Sequence, residues 1–240
     1  MIKGSACAGP FFASVHCAIP SCSNCLIHGA MYRRLSLLLQ SAALSLGIVT
    51  LSGTAIAVDK SMVKEKWHTP YDLYLNPQEA YDMKKADLDG VLLIDVRTRA
   101  EVQFVGFADL ADANIPIYLF SDEWKQKKDG VHGVYRKAYN NDFVAAVDKF
   151  IDIRNKDKSA PIILMCQSGG RSPYAARALH EAGYKKVYSQ VEGFEGLKAK
   201  EGPDKGKRVI NGWKNAGLPW SLKLKQEKMY FNFAPVLGQD

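Results

Sequence analysis

The chain has 240 residues, of which 47% are hydrophobic and 24% are charged, and its formal net charge is +7. This composition is typical of a soluble globular protein of ordinary domain size and excludes disorder, collagen and a multi-span membrane protein. Residues 1–57 contain no acidic residue and four of the five cysteines, so residues 58–240 retain 29 basic and 25 acidic groups. A surplus of four charges is too small to indicate a nucleic-acid partner.

Residues 31–57 are predicted to be an export signal. Two arginines follow Met31, an apolar stretch covers 35–51, and the segment ends in the small-x-small sequence Ala55-Ile56-Ala57. Signal peptidases cut after such a pattern, so we expect a periplasmic protein that begins at Val58 and has no stable membrane insertion. Without cleavage, the apolar stretch would be a membrane anchor.

Residues 1–30 are interpreted as lying upstream of the true start of the protein. An alternative interpretation is a zinc site formed by Cys17, Cys22, Cys25 and His28, since Cys22 and Cys25 have the C-x-x-C spacing of zinc ligands. A second pair at zinc-finger spacing is missing from the sequence, which argues against this site. The sequence therefore predicts neither a metal nor a cofactor.

The first predicted elements of the remaining chain are a helix and a strand. Asn76 supplies an N-cap, Pro77 the first helical residue and Glu79 a capping-box carboxylate, so we expect a helix from Pro77 to about Lys85. The continuous apolar run 91–96 predicts a central parallel strand that is covered on both faces.

Further along the chain, the same alternation continues. Apolar residues at helical spacing predict an amphipathic helix within 141–153, and the run 161–165 predicts a second buried strand. Ser172 is predicted to cap the next helix, which Gly183 ends, and a short strand follows at 187–189. Strands that alternate with helices indicate an α/β fold with a mainly parallel sheet.

The loop 166–171 joins the second buried strand to the helix that follows it. Sites form at such junctions because the helix N-terminus presents unpaired N–H groups and the positive end of its dipole. Gly169 and Gly170 permit a tight backbone turn around an anion, and Arg171 adds a positive charge. These features favour the thiolate, so Cys166 is predicted to be a nucleophile, whereas the alternative is a small buried structural residue.

The sequence resembles a single-domain rhodanese, a sulfurtransferase, over residues 74–220. The matching motifs occur in the order of the family: Leu93–Arg97 with Glu101, Asn114–Pro116, Cys166-x-x-Gly169-x-Arg171-Ser172, Glu192–Phe194, and Gly212-Trp213 through Pro219. The resemblance implies a rhodanese-like three-layer α/β/α fold with a mainly parallel central sheet. Residues 58–73 would then be an N-terminal extension and residues 221–240 a C-terminal tail.

The resemblance also implies a ping-pong reaction that uses small molecules. Cys166 would take sulfane sulfur from thiosulfate or a persulfide donor, become a persulfide, and pass the sulfur to cyanide or a thiol acceptor. The loop N–H groups would hold the terminal sulfur, and the side chain of Arg171 would bind the oxyanion of the donor. The expected substrate-binding residues are Gln167, Ser168, Gly169, Gly170, Arg171 and Ser172. Asp95 and Arg97 would be structural, with Arg97 paired to Glu101.

Two features depart from the family pattern. The customary histidine before Asn114 is absent, and the segments 121–140 and 195–211 look inserted, so we expect them to shape the mouth of the site. A phosphatase is an alternative user of a cysteine and an arginine in one loop. Its loop needs five residues between them, and this chain has four, which suits a single sulfur atom better.

A second alternative is a sulfur-carrier or partner-binding module of a periplasmic redox or sulfur-oxidation system, with little turnover of its own. In that case the aromatic segments 67–71 and 229–233 would be docking surfaces for a periplasmic protein partner. Such residues also pack back on their own domain as the edge of its core. Turnover with thiosulfate and cyanide distinguishes the carrier from the enzyme.

Overall fold

The structure is a computed structural model that describes residues 57–233. The predicted export signal up to residue 56 lies outside the described residues, as do residues 1–30 with their candidate zinc ligands and residues 234–240 of the predicted tail. Within 57–233, no helix is long and apolar enough to cross a bilayer.

Residues 57–233 contain eleven strands and four α-helices. The strands are β1 Tyr74–Leu75, β2 Leu92–Asp95, β3 Phe107–Ala108, β4 Ala113–Asn114, β5 Tyr118–Gln126, β6 Gly133–Tyr139, β7 Ile162–Met165, β8 Val187–Gln190, β9 Leu197–Lys198, β10 Arg208–Ile210 and β11 Trp220–Ser221. The α-helices are α1 Pro77–Ala86, α2 Arg99–Val105, α3 Phe143–Ile153 and α4 Ser172–Glu181. Short 3₁₀ turns occupy Lys60–Met62, Glu65–Trp67, Gln226–Lys228 and Tyr230–Asn232.

The central sheet has five strands in the order β1-β8-β7-β2-β4, and every pairing in it is parallel. Its side chains alternate between two cores: Leu92 and Ile94 pack with α3 and α4 on one face, and Leu93 packs with α1 and α2 on the other. This burial on both faces explains why β2 and β7 are uninterrupted apolar runs. The predicted α/β fold with three layers and a mainly parallel sheet is confirmed.

Helix α1 has the predicted capping box. The Asn76 side chain accepts a hydrogen bond from the Glu79 amide at 2.9 Å, and the Glu79 carboxylate accepts one from the Asn76 amide at 2.7 Å. The helix ends at Ala86, one residue beyond the expected Lys85. Local sequence is sufficient to predict this helix because its cap lies within its own first turn.

The predicted start of α4 was wrong by one residue. Ser172 is the first helical residue and not the cap, because the carbonyl of Arg171 already accepts hydrogen bonds from Tyr174 at 3.0 Å and Ala175 at 3.3 Å. The Ser172 hydroxyl is buried and has no hydrogen-bond partner among the described residues. The helix therefore begins directly at the end of the cysteine loop, where its free N–H groups face the site.

Both predicted insertions form small antiparallel pairs outside the central sheet. Strands β5 and β6 make a long hairpin, which is held at its base by a 3.0 Å hydrogen bond from the Asn140 amide to the Ile117 carbonyl. Strands β9 and β10 make the second pair. The hairpin is largely exposed, so little of the central core depends on it.

The two aromatic segments pack on the same core as the sheet. Tyr230 and Phe233 are buried, with the Phe233 ring 5.1 Å from the Phe150 ring. At the other end, Arg177 of α4 donates to the His68 carbonyl at 2.8 Å, and the Tyr71 hydroxyl donates to a carbonyl at 2.9 Å. The predicted boundaries at residues 74 and 220 stay predictions, but both flanking segments contact the central domain.

Candidate active site

Cys166 lies at the carboxyl end of β7, the middle strand of the central sheet, directly before the loop that leads to α4. Its side chain is free and almost fully buried, with 1% exposed. The amide of Arg171 donates to the Cys166 sulfur at 3.3 Å. The sequence pattern predicted an N–H donor of this kind at the amino end of the helix, and the role of Cys166 as a nucleophile stays a prediction.

The loop is fixed by residues 191–196, which follow β8. The Cys166 carbonyl accepts a hydrogen bond from the Phe194 amide at 2.7 Å, and the Gln167 carbonyl accepts one from the Glu195 amide at 2.9 Å. Gly169 adopts a φ of +82°, and a Cβ atom there would collide with the Val191 carbonyl. The glycine is required both by its backbone conformation and by this close approach.

The Arg171 side chain makes a bidentate ion pair with Glu101, which lies in the first turn of α2. One terminal nitrogen donates to Glu101 Oε2 at 2.7 Å and the other donates to Oε1. Burial opposes ionisation of Glu101, but the hydrogen bonds and charge of Arg171 outweigh it and lower the pKa of this carboxyl to about 2. Burial also opposes the charge of Arg171, and the same carboxylate more than offsets it, so the pKa of Arg171 is raised.

The expected pairing of Arg97 with Glu101 was wrong. Arg97 is fully buried and binds the carboxylate of Asp95, with its closest contact at 2.6 Å. Glu101 is unavailable to it because that carboxylate caps α2 through the Thr98 amide at 3.0 Å and also binds Arg171. Arg171, which was expected to bind the oxyanion of the donor, thus has Glu101 as a carboxylate partner.

Glu101 is the site residue whose contact with the loop was missed in the sequence. The signal was present, because Thr98-x-x-Glu101 is a capping box that places this carboxylate at the start of a helix after β2. Since β2 and β7 are neighbours and parallel, their helices begin at the same edge of the sheet. That geometry brings Glu101 to Arg171.

The two insertions each place one cation at the mouth of the site. Lys137 of β6 lies with its Nζ atom 3.7 Å from Glu101 Oε2. Arg208 of β10 donates to the side-chain carbonyl of Gln167 at 3.1 Å, and the Gln167 amide donates to Glu195 at 2.9 Å. The insertions therefore shape the mouth as expected, but no local pattern in the sequence identifies Lys137 or Arg208.

The remaining residues predicted for the site lie together in the same loop. Gln167, Ser168 and Gly170 are partly exposed, whereas Gly169 and Ser172 are buried. The indole of Trp67, from the N-terminal segment, lies so near Gly170 that a Cβ atom at this position would be 3.8 Å from it. Between residues 57 and 233 no group of three or more histidines, cysteines and carboxylates is arranged to bind a metal.

Several solved structures are similar to this chain. A crystal structure of a protein from M. tuberculosis has 29% sequence identity and a TM-score of 0.45, and the match covers 62% of this chain and 97% of that one. The polysulfide-sulfur transferase homodimer from Wolinella succinogenes has 21% identity and a TM-score of 0.35, over 62% of this chain and 77% of that one.

Sequence relatives and a family model match the same region. An uncharacterised protein of Rickettsia conorii is 36% identical over 144 residues, which are 60% of this chain and 93% of that protein. An uncharacterised protein of Rickettsia prowazekii is 32% identical over the same shares. The model of the rhodanese-like domain matches residues 76–200, more than half of the chain. That range includes Glu101 and the whole cysteine loop, and it ends before Arg208.

Proposed function

Because the chain belongs to the rhodanese-like domain family, we propose that it is a sulfurtransferase in which Cys166 carries the transferred sulfur as a persulfide. The observation that carries this proposal is the position of the Cys166 sulfur at the amino end of α4, within 3.3 Å of the Arg171 amide. A thiolate and a persulfide are both anions, so the same N–H groups stabilise the nucleophile and the intermediate.

The first half-reaction loads the cysteine. The Cys166 thiolate attacks the sulfane sulfur of thiosulfate and forms a new S–S bond, while the original S–S bond breaks and its electron pair leaves with sulfite. The product is a Cys166 persulfide whose terminal sulfur carries the negative charge. We assign the N–H groups of Gln167 to Arg171 to this terminal sulfur, with Ser172 beginning the helix behind them.

The second half-reaction transfers the sulfur from the Cys166 persulfide to the acceptor. Cyanide or an acceptor thiolate attacks the terminal sulfur, the Cys166–sulfur bond breaks, and the thiolate of Cys166 is regenerated. The products are thiocyanate or an acceptor persulfide. No metal and no cofactor enters these steps, because the electrons move only between sulfur atoms and the attacking nucleophile.

The test is turnover of the purified protein with thiosulfate and cyanide. We expect the release of thiocyanate with ping-pong kinetics, and complete loss of this activity in Cys166→Ser. Gln167→Ala, in the same loop but outside the S–S chemistry, should retain measurable turnover. Thiocyanate release that persists in Cys166→Ser would refute the proposal.

One observation favours a sulfur-carrier role as the second candidate. The Arg171 side chain is paired with Glu101, so it does not stand free to bind a donor such as thiosulfate. A carrier would instead receive sulfur from a periplasmic protein partner and pass it on. Absence of turnover with thiosulfate and with small persulfides, together with one extra sulfur on Cys166 by mass spectrometry, would decide for the carrier.

We also propose that the protein works in the periplasm, after export by the signal that starts at Met31. The support is the sequence pattern of residues 31–57. The intact mass of the protein recovered from the periplasm measures the cleavage site directly. A mass that begins at Val58 is the expected result, and a mass that retains residues 35–51 would contradict it.

A further inference from the structure

Five charged side chains at the mouth of the cysteine loop form ion pairs with one another. They are Glu101, Lys137, Arg171, Glu195 and Arg208. Glu101 is matched by the bidentate pair with Arg171, and Glu195 is matched by Arg208, whose Nε lies 3.9 Å away. Two carboxylates thus face three cations, and Lys137 shares its carboxylate, Glu101, with Arg171.

Lys137 is also the most accessible of the three cations. A third of its side chain is exposed, against 15% for Arg171 and 24% for Arg208. Its ammonium is 3.7 Å from Glu101 Oε2, whereas Arg171 approaches the same oxygen at 2.7 Å. The ammonium also lies 4.9 Å from the centroid of the Phe120 ring, which excludes water from part of its surface and strengthens its interaction with an entering anion.

The charge balance shows why this position matters for a donor. With Cys166 ionised, these three cations meet two carboxylates and one thiolate, so this set of groups is neutral. Without Lys137 the set would carry one net negative charge, which disfavours the binding of a dianion such as thiosulfate. Arg171 compensates little, because the bidentate pair with Glu101 balances its charge.

We infer that Lys137 is a specificity-determining residue that binds the oxyanion of a doubly charged sulfur donor at the mouth of the cysteine loop. This inference rests on the proposed sulfurtransferase function and names its donor class as small dianions of the thiosulfate type. Lys137 belongs to the inserted hairpin β5–β6. The hairpin therefore contributes selectivity for the donor, whereas the loop 166–171 contributes the sulfur chemistry of Cys166.

The kinetic test compares two donors that differ by one charge. Thiosulfate is a dianion and methanethiosulfonate a monoanion, yet both present a sulfane sulfur beside sulfur-bound oxygens. We expect Lys137→Gln to raise the KM for thiosulfate about tenfold, as for the loss of one charge-assisted hydrogen bond. Since Coulomb energy scales with charge, the KM for methanethiosulfonate should rise only about threefold. Lys137→Arg should restore most of the loss.

Lys127→Gln is the matched control, because it removes the same charge from an exposed position in the turn of the same hairpin. Its KM for either donor should stay within about twofold of the wild type, which is the range of a screened distant charge. An equal rise of both KM values in Lys137→Gln would overturn the inference, since it would mean that Lys137 acts only by positioning Glu101.

A binding measurement separates this inference from the proposed function. In the Cys166→Ser background no sulfur transfer occurs, and thiosulfate binding is measured by calorimetry with and without Lys137→Gln. A roughly tenfold weaker Kd supports the inference even if the wild type shows no turnover. An unchanged Kd, or no measurable binding of thiosulfate, overturns it even if the wild type is an active sulfurtransferase.

Discussion

Glu101→Gln tests the buried ion pair that joins the two halves of the site. The ordinary pKa of a glutamate is 4.5, and that of Glu101 is about 2, a difference that corresponds to about 3 kcal/mol of stability at neutral pH. Only 11% of the Glu101 side chain is exposed, so screening by solvent reduces this free energy only slightly. Glutamine keeps the size of the side chain and an oxygen for the Thr98 amide, but it removes the charge facing Arg171.

The sign of the pH effect follows from the lowered pKa. Above pH 4.5 the Glu101 carboxylate is charged in both the folded and the unfolded protein, so its full contribution to stability is present. This contribution is lost as the pH falls from 4.5 through about 2. We therefore expect Glu101→Gln to lower the free energy of unfolding by about 3 kcal/mol at pH 7. The deficit should shrink to less than about half of that at pH 3.

Urea unfolding of the wild type and the variant at pH 7, 5 and 3 measures this difference. Glu123→Gln is the control, because Glu123 forms an ion pair with Arg136 at 3.5 Å in which both side chains are more than half exposed. This variant should change the free energy of unfolding by less than about 0.5 kcal/mol. A deficit in Glu101→Gln that is below about 1 kcal/mol at pH 7, or that is the same at pH 3 as at pH 7, would refute the reasoning.

Two further predictions concern the folded core around the site. Gly169→Ala should destabilise the protein by more than about 2 kcal/mol and abolish turnover, because its Cβ would meet the Val191 carbonyl. The control Gly130→Ala, also at positive φ but in open space, should cost only about 1 kcal/mol. Equal losses of stability in the two variants would contradict this prediction. Phe233→Ala should cost about 3 kcal/mol in urea unfolding, since its buried ring packs on Phe150. A loss below about 1 kcal/mol would show that the segment after residue 220 adds little to the fold.

The features that the sequence predicts well are those determined within one turn or one strand. Helix α1 was predicted from Asn76, Pro77 and Glu79 because the cap and its partner are three residues apart. The strands β2 and β7 were predicted because burial on both faces leaves an uninterrupted apolar run. The position of Cys166 after such a strand followed directly.

The contacts that the sequence did not predict depend on the tertiary arrangement. Glu101 was expected to bind Arg97, four residues away, and instead binds Arg171, from which 70 residues separate it. Arg97 instead binds Asp95, which is fully buried with it, and its guanidinium lies 3.9 Å from the centroid of the Phe194 ring. No local pattern marks Lys137, since its position beside Glu101 depends on where the hairpin β5–β6 folds against the sheet.

The order of the strands in the sheet has a consequence for the assembly of the site. The connection after β2 runs through α2 on one face, and the connection after β7 runs through α4 on the other, so a crevice opens between two diverging crossovers. Glu101 and Arg171 reach across this crevice from opposite crossovers. A fragment that began after α2 would still contain the entire cysteine loop, but Arg171 would lack its counter-charge Glu101 and β7 would lack its neighbour β2. The surroundings of the Cys166 sulfur are therefore complete only when both crossovers have docked on the sheet.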